Sequence, residues 1–181
     1  MNTPNKLSLL RVALIPVLVL CMYQPGWFFI LLSAAVFGAA AYTDYLDGHI
    51  ARRDHIVTDF GKFIDPVADK LLNLSAMIML TYVGLLPQWA VLVILARELA
   101  VDGLRMVAVG QGRVIAAGKL GKIKTVVQIT LIITHLVYFA QFPLLHILAR
   151  WLMLPTQIAM LVMTIWSGAD YFLRNKEVLH G

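Results

Sequence analysis

The amino-acid sequence predicts an all-α integral membrane protein with six transmembrane helices and both termini in the cytoplasm. Three observations predict it. The chain of 181 residues is 60% hydrophobic and only 14% charged, whereas a soluble domain is nearer half apolar and a quarter charged. Four long stretches, 12–43, 71–96, 125–149 and 151–169, contain no Asp, Glu, Lys or Arg. The basic residues gather in alternate connections between apolar segments. A chain this short has little interior in which to hide so much apolar surface, which excludes disorder, a disulfide scaffold and an ordinary soluble domain. Its single cysteine, Cys21, has no internal partner.

A helix needs about 20 residues to cross a hydrocarbon core ~30 Å thick. Turn signals divide the stretches into spans of that length. Span one, 8–23, follows Lys6 and ends at Gln24-Pro25-Gly26. No small-x-small cleavage site follows it, so it reads as a retained helix rather than a signal peptide. Span two, 27–47, ends at Asp44 and Asp47, with Gly48 as its C-cap. Span three, 65–83, opens at Asp65-Pro66, an N-cap followed by proline at the first helical position. It closes at Gly84-Leu85-Leu86-Pro87. Span four, 88–109, carries charges within it, and spans five and six cover 120–141 and 147–172. No internal repeat or linker interrupts the pattern, so residues 1–181 read as one domain.

The net charge of +5 is informative through its placement. Lys6, Arg52, Arg53, Lys62, Arg113, Lys119, Arg174 and Lys176 all fall on one side of the alternating connections. The opposite turns, near 24–26, 84–87 and 142–146, contain no Lys or Arg. The positive-inside rule then puts both termini and the two longer loops in the cytoplasm. The partner implied by the charge is a lipid bilayer rather than nucleic acid. Arg150 is the exception and snorkels to the far interface.

Ionisable residues inside spans are costly and usually face a bundle interior or a wet cavity. Asp44 and Asp47 are spaced i, i+3, and Asp65 and Asp69 are spaced i, i+4, so each pair shares a helix face. The connection 48–64 joins antiparallel spans, which brings both pairs to the same interface. Capping alone accounts for Asp65. Asp44 and Asp47 fall in the last turn of their predicted helix, where the dipole disfavours anions. Two carboxylates ~5 Å apart repel by roughly 3 kcal/mol at an effective dielectric of ~20. Compensation comes either from Arg52, Arg53, Lys62 and Lys70 or from divalent metal. Oxygen ligands without nearby cysteine favour Mg²⁺, Mn²⁺ or Ca²⁺ over zinc.

The segment reads Asp44-Tyr45-Leu46-Asp47-Gly48-His49-Ile50-Ala51-Arg52, then eight residues, then Gly61-Lys62-Phe63-Ile64-Asp65-Pro66-Val67-Ala68-Asp69. It resembles the signature of the CDP-alcohol phosphatidyltransferases. Eight residues match in kind and spacing, and a chance match at one start point is roughly one in 10⁹ or rarer. The six-span architecture also resembles this family, so the likeness covers nearly the whole chain. The resemblance implies a helical bundle with its site at the cytoplasmic interface, a CDP-linked donor such as CDP-diacylglycerol, an alcohol acceptor, release of CMP, and a homodimer. It places Asp44, Asp47, Asp65 and Asp69 around two divalent cations, Mg²⁺ or Mn²⁺, with Asp69 also the proton acceptor. Gly48, Ala51, Arg52 and Gly61 match donor-binding positions, and Thr58 lies in the same loop. Asn5, Ser8 and Arg11 resemble a short donor-contacting motif, with Ser8 where threonine is common.

The chemistry suits these residue types. The donor is a diphosphate anion and the nucleophile a neutral hydroxyl, so catalysis is mostly positioning and electrostatics. Metals screen the phosphates and polarise the attacked phosphorus. A nearby aspartate takes the hydroxyl proton.

Span four supplies a second group. Glu98, Asp102 and Arg105 form one stripe at i, i+4 and i+7, bordered by Arg97. The stripe contains a like-charge pair, so it requires partners from other spans. Lys122 and Lys124 open span five. Two cations from each span suit a phosphate monoester. The runs Ala96-Arg97-Glu98, Gly103-Leu104-Arg105 and Gly121-Lys122-Ile123-Lys124-Thr125 with Gln128 resemble the phosphatidylglycerophosphate synthases within the family. That resemblance implies that Arg97, Arg105, Lys122 and Lys124 hold the phosphate of sn-glycerol 3-phosphate. It also implies a place in phosphatidylglycerol and cardiolipin synthesis in a bacterial inner membrane, with the site facing the cytoplasm. Inositol phosphate and phosphatidylglycerol are the rival acceptors. A divalent-cation carrier is the rival of another class, and it requires a polar path through Phe28–Ala40 and Met77–Val83, where the sequence offers almost none.

Overall fold

The computed structural model describes residues 3–53, 59–116 and 118–179, with side chains for 6–43, 61, 64–116 and 118–178. Among the described residues six helices follow one another: α1 Thr3–Tyr23, α2 Trp27–Arg53, α3 Asp59–Tyr82, α4 Gln88–Gly110, α5 Lys119–Phe139 and α6 Pro143–Arg174. A 3₁₀ turn, Lys176–Leu179, ends the described chain. There is no strand among the described residues. Among the described residues three helices contain stretches long and apolar enough to cross a membrane, Lys6–Tyr23, Lys119–Phe139 and Pro143–Arg174, and Trp27–Thr43 is a shorter apolar helix.

The turns fall where the sequence places them, for identifiable reasons. Gly84 has φ +76°, and the amides of Gly84 and Leu85 reach back to the carbonyls of Thr81 and Leu80 at 3.0 and 2.9 Å. This is a Schellman end, which requires a left-handed residue just past the helix. Gly112, φ +74°, closes α4 in the same way through Arg113 N–H to Ala108 C=O at 2.9 Å. The third turn is shorter than expected, because Pro143 starts α6 at its first position. A proline there sacrifices no hydrogen bond.

Two boundary expectations are corrected. Gly48 does not cap α2, which continues to Arg53. Asp65 does not cap α3, which begins at Asp59 and contains Pro66. Asp44 and Asp47 therefore lie more than a turn from the helix end. The dipole acts within the last turn, so it gives no reason for a cation there. A glycine inside a helix costs about 1 kcal/mol and a proline about 3; α2 and α3 run through both, within a bundle held by tertiary packing.

That packing centres on α3, which contacts α1, α2, α4 and α5. The main core joins Leu18 and Met22 of α1, Phe37 and Ala40 of α2, Leu72, Met77 and Leu80 of α3, and Leu131, Ile132 and Leu136 of α5. Hydroxyls within the helices bond to their own backbone, as Ser33 does to Phe29, Thr81 to Met77 and Thr164 to Met160. His135 receives a hydrogen bond at Nε2 from the Gln157 amide at 2.9 Å, with Nδ1 on the Leu131 carbonyl at 2.8 Å. It is a helix–helix tie between α5 and α6. Leu20, Leu92, Val126, Leu154 and Ile165 face outward and are exposed, as are Trp27, Trp89, Trp151 and Trp166. This apolar exterior is the inverse of a water-facing surface.

Candidate functional site

α3 presents Asp65, Asp69 and Asn73 at i, i+4 and i+8, one polar stripe along the helix. Ser8 on α1, fully buried, donates its hydroxyl to the Asp65 carboxylate. The N-terminal motif and the acidic motif are thus joined in space, and Arg11 lies fully buried on α1 one turn further on. Asn73, 5% exposed, donates Nδ2–H to both the Asp69 carboxylate and the Asp69 carbonyl, each at 2.9 Å. Gly61 is buried at the start of α3.

The side chains of Asn5, Asp44, Asp47, Gly48, Ala51 and Arg52, and Thr58 entirely, lie outside the described residues. Asp65 and Asp69 are the described half of the four predicted carboxylates. Among the described residues no three His, Cys, Asp or Glu group as metal ligands. α2, which carries Asp44 and Asp47, packs against α3. The donor chemistry fits a hard divalent cation. Among the described residues Asp65 makes no ion pair and has the neutral Ser8 hydroxyl as its partner. Lys70, a candidate compensator for these acids, forms an ion pair with Asp102 on α4.

Charged residues of α4 find partners on three other helices, as a stripe containing a like-charge pair requires. Glu98 pairs with Lys124 of α5, which is 4% exposed. Asp102 pairs with Lys70 of α3. Arg97 reaches Glu98 at 3.4 Å and donates from Nη2 to the Ser167 hydroxyl of α6 at 3.1 Å. Its Nε is buried without a hydrogen-bond partner among the described residues. Arg105 donates Nε–H to the Tyr171 hydroxyl at 3.0 Å, with its guanidinium 5.6 Å from the centre of that ring. Among the described residues Arg105 has no carboxylate partner, so its positive charge is not neutralised by an ion pair.

These groups line one cavity of about 230 Å³. Asp69, Lys70 and Asn73 form its α3 side, and Arg97, Glu98, Asp102 and Arg105 its α4 side. Lys122, Lys124 and Gln128 of α5 complete the lining with Ser167 and Tyr171 of α6. Asp69 and the cations Arg97, Arg105, Lys122 and Lys124, singled out from sequence as separate groups, therefore line a single space. Gln128 Nε2 lies 3.8 Å from Met77 Sδ of the apolar core, where Phe37, Ala40, Met77 and Leu80 are fully buried.

Sequence reasoning did not single out Lys70 for this cavity, nor Asn73, Ser167 or Tyr171. Lys70 and Asn73 lie at i, i+3 beside Asp69, a polar stripe that extends the acidic motif by a turn. Ser167 and Tyr171 left a weaker signal, a short run of small and polar residues late in a long apolar helix.

Comparison with known proteins follows the same lines. The family pattern of the CDP-alcohol phosphatidyltransferases matches residues 1–166. A Bacillus subtilis protein named CDP-diacylglycerol–glycerol-3-phosphate 3-phosphatidyltransferase is 41% identical, covering 98% of this chain and 97% of its own. A Yersinia pestis protein of the same name is 34% identical over 94% of this chain and 93% of its own. A Rickettsia bellii protein of that name is 45% identical over 58% of each chain.

Proposed function

This chain belongs to the CDP-alcohol phosphatidyltransferase family, and from that premise we propose that it transfers the phosphatidyl group of CDP-diacylglycerol to sn-glycerol 3-phosphate, giving phosphatidylglycerophosphate and CMP. The observation that carries this reading is the cavity in which Asp69 faces Arg97, Arg105 and Lys124. A hydroxyl acceptor that also bears a phosphate needs both a proton acceptor and an anion pocket, a few ångströms apart. The names of the Bacillus subtilis and Yersinia pestis relatives support the same donor and acceptor.

In the proposed reaction the acceptor hydroxyl oxygen bonds to the phosphorus that carries diacylglycerol. The bond from that phosphorus to CMP breaks, and CMP leaves with the electron pair. Asp69 takes the hydroxyl proton, with Asn73 holding the carboxylate in place. Arg97, Arg105, Lys122 and Lys124 bind the acceptor phosphate. Ser8, Arg11 and Gly61, with Asn5, Gly48, Ala51, Arg52 and Thr58, bind the donor. Asp44, Asp47, Asp65 and Asp69 would hold two divalent cations, Mg²⁺ or Mn²⁺. Bound there, the metals would supply charge neutralisation for the diphosphate.

The same reading sets the protein in a bilayer as one domain over 1–181, with six spans, both termini cytoplasmic and two copies per assembly. Basic residues concentrated on one side of the alternating connections support that orientation. It places the site at the cytoplasmic face of a bacterial inner membrane, where acyl tails stay in lipid and the acceptor arrives from water.

The test is CMP release by purified protein in CDP-diacylglycerol vesicles with Mg²⁺, measured across an acceptor panel. Stimulation by sn-glycerol 3-phosphate well above inositol phosphate and phosphatidylglycerol is the expected result. Preference for either of the others would reassign the acceptor.

A further inference from the structure

Resting on the acceptor reading above, we propose that α6 is the positioning wall of the acceptor pocket: Tyr171, Ser167 and Gly168 fix where the guanidinium groups of Arg105 and Arg97 lie. These three residues fall at i, i+1 and i+4 on one face of α6, the face that packs on α4. All three are buried, Ser167 at 2% and Tyr171 at 7% exposure. They lie just past residues 1–166, the stretch that matches the family pattern.

Arg105 is held through its inner nitrogen. Tyr171 accepts Nε–H at 3.0 Å and places its ring under the guanidinium. A guanidinium offers five N–H donors in a rigid plane. Engaging Nε leaves the two terminal nitrogens available as a fork, the arrangement that binds phosphate bidentately. A carboxylate in the place of Tyr171 would orient the arginine equally well but would neutralise it. A phenol orients it and leaves the charge intact for an incoming anion.

Arg97 is held differently. Ser167 accepts from Nη2 at 3.1 Å, and the aliphatic stem lies against Gly168. A Cβ at that position would sit 3.1 Å from Arg97 Cγ, tighter than ordinary van der Waals contact, so the missing side chain lets the stem pass. The wall acts on both arginines by uncharged contacts. The carboxylate Glu98, by contrast, holds Lys124 in an ion pair.

The test separates acceptor affinity from everything else. Tyr171→Phe keeps the ring and removes only the accepting oxygen. It is expected to raise the KM for sn-glycerol 3-phosphate about tenfold, with kcat and the KM for CDP-diacylglycerol within about twofold and the melting temperature unchanged. Ser167→Ala and Gly168→Ala are expected to shift the same KM by smaller factors through Arg97. An unchanged acceptor KM in Tyr171→Phe, or a rise in both substrates' KM together, overturns the wall while leaving the acceptor reading in place. If wild-type CMP release does not respond to sn-glycerol 3-phosphate, the acceptor reading itself fails, and the wall falls with it.

Discussion

Asn73 donates its side-chain amide to the Asp69 carboxylate one helical turn away, at 2.9 Å from Nδ2 to Oδ1. The contact stays within α3 and holds the Asp69 carboxylate against its own helix. A hydrogen bond to a charged acceptor contributes about 1.5–3 kcal/mol. Asn73→Leu should therefore lower kcat for CMP release roughly tenfold to a hundredfold while the protein stays folded. Single-turnover kinetics beside a thermal melt would check this, and unchanged turnover would make Asn73 a packing residue only.

Asp69→Asn keeps the shape of the side chain and removes its ability to take a proton. Transfer should fall below detection, with a melting temperature near that of the parent. Parent-like turnover in this variant would take Asp69 out of the proposed mechanism.

Arg105→Ala removes a cation that no carboxylate neutralises among the described residues. The expected result is a higher KM for the phosphate-bearing acceptor with a smaller effect on kcat, since a binding charge is lost. Acceptor titrations at saturating donor would read it. An unchanged acceptor KM would give Arg105 a structural role.

Glu98 and Lys124 should behave as a unit. Lys124 is 4% exposed, and Glu98 is its ion-pair partner. Removing one member of a buried pair costs about 3–5 kcal/mol, because the other charge is left stranded. Glu98→Leu should lower the melting temperature markedly, and Glu98→Leu with Lys124→Leu should recover part of it, because Arg97, the second partner of Glu98 at 3.4 Å, stays without its carboxylate. Activity should not return in the double variant if Lys124 binds the acceptor phosphate as proposed. Stability losses that simply add would contradict the pairing.

Much of the fold was legible because lipid imposes strict rules. Charge-free stretches and the breaks at Gln24-Pro25-Gly26 and Gly84 mark helices to within a few residues, since a left-handed or proline-containing turn must fall between spans. The ends of α2 and α3 were not legible. Gly48 and Pro66 have the chemistry of a stop and a start, but inside a helix they cost only about 1 and 3 kcal/mol, and α2 and α3 run through both. Candidate site residues were legible where type and spacing recur in a motif, as for Asp65 and Asp69. The choice of partner across helices was not. Nothing in the sequence says that Lys70 takes Asp102 rather than the nearby aspartates, because that depends on how α3 and α4 pack. Tyr171 and Ser167 were missed for the same reason: their roles are to hold other side chains, and only the bundle brings them to the arginines.

The most direct measurement is the fate of the acceptor phosphate. sn-Glycerol 3-phosphate labelled at phosphorus would be incubated with purified protein, CDP-diacylglycerol vesicles and Mg²⁺, and label in the lipid fraction compared with CMP released. The account predicts one labelled phosphatidylglycerophosphate for each CMP, with both lost on chelation and restored by Mg²⁺ or Mn²⁺. Label that stays in water while CMP is released, or release that ignores the acceptor, would contradict it.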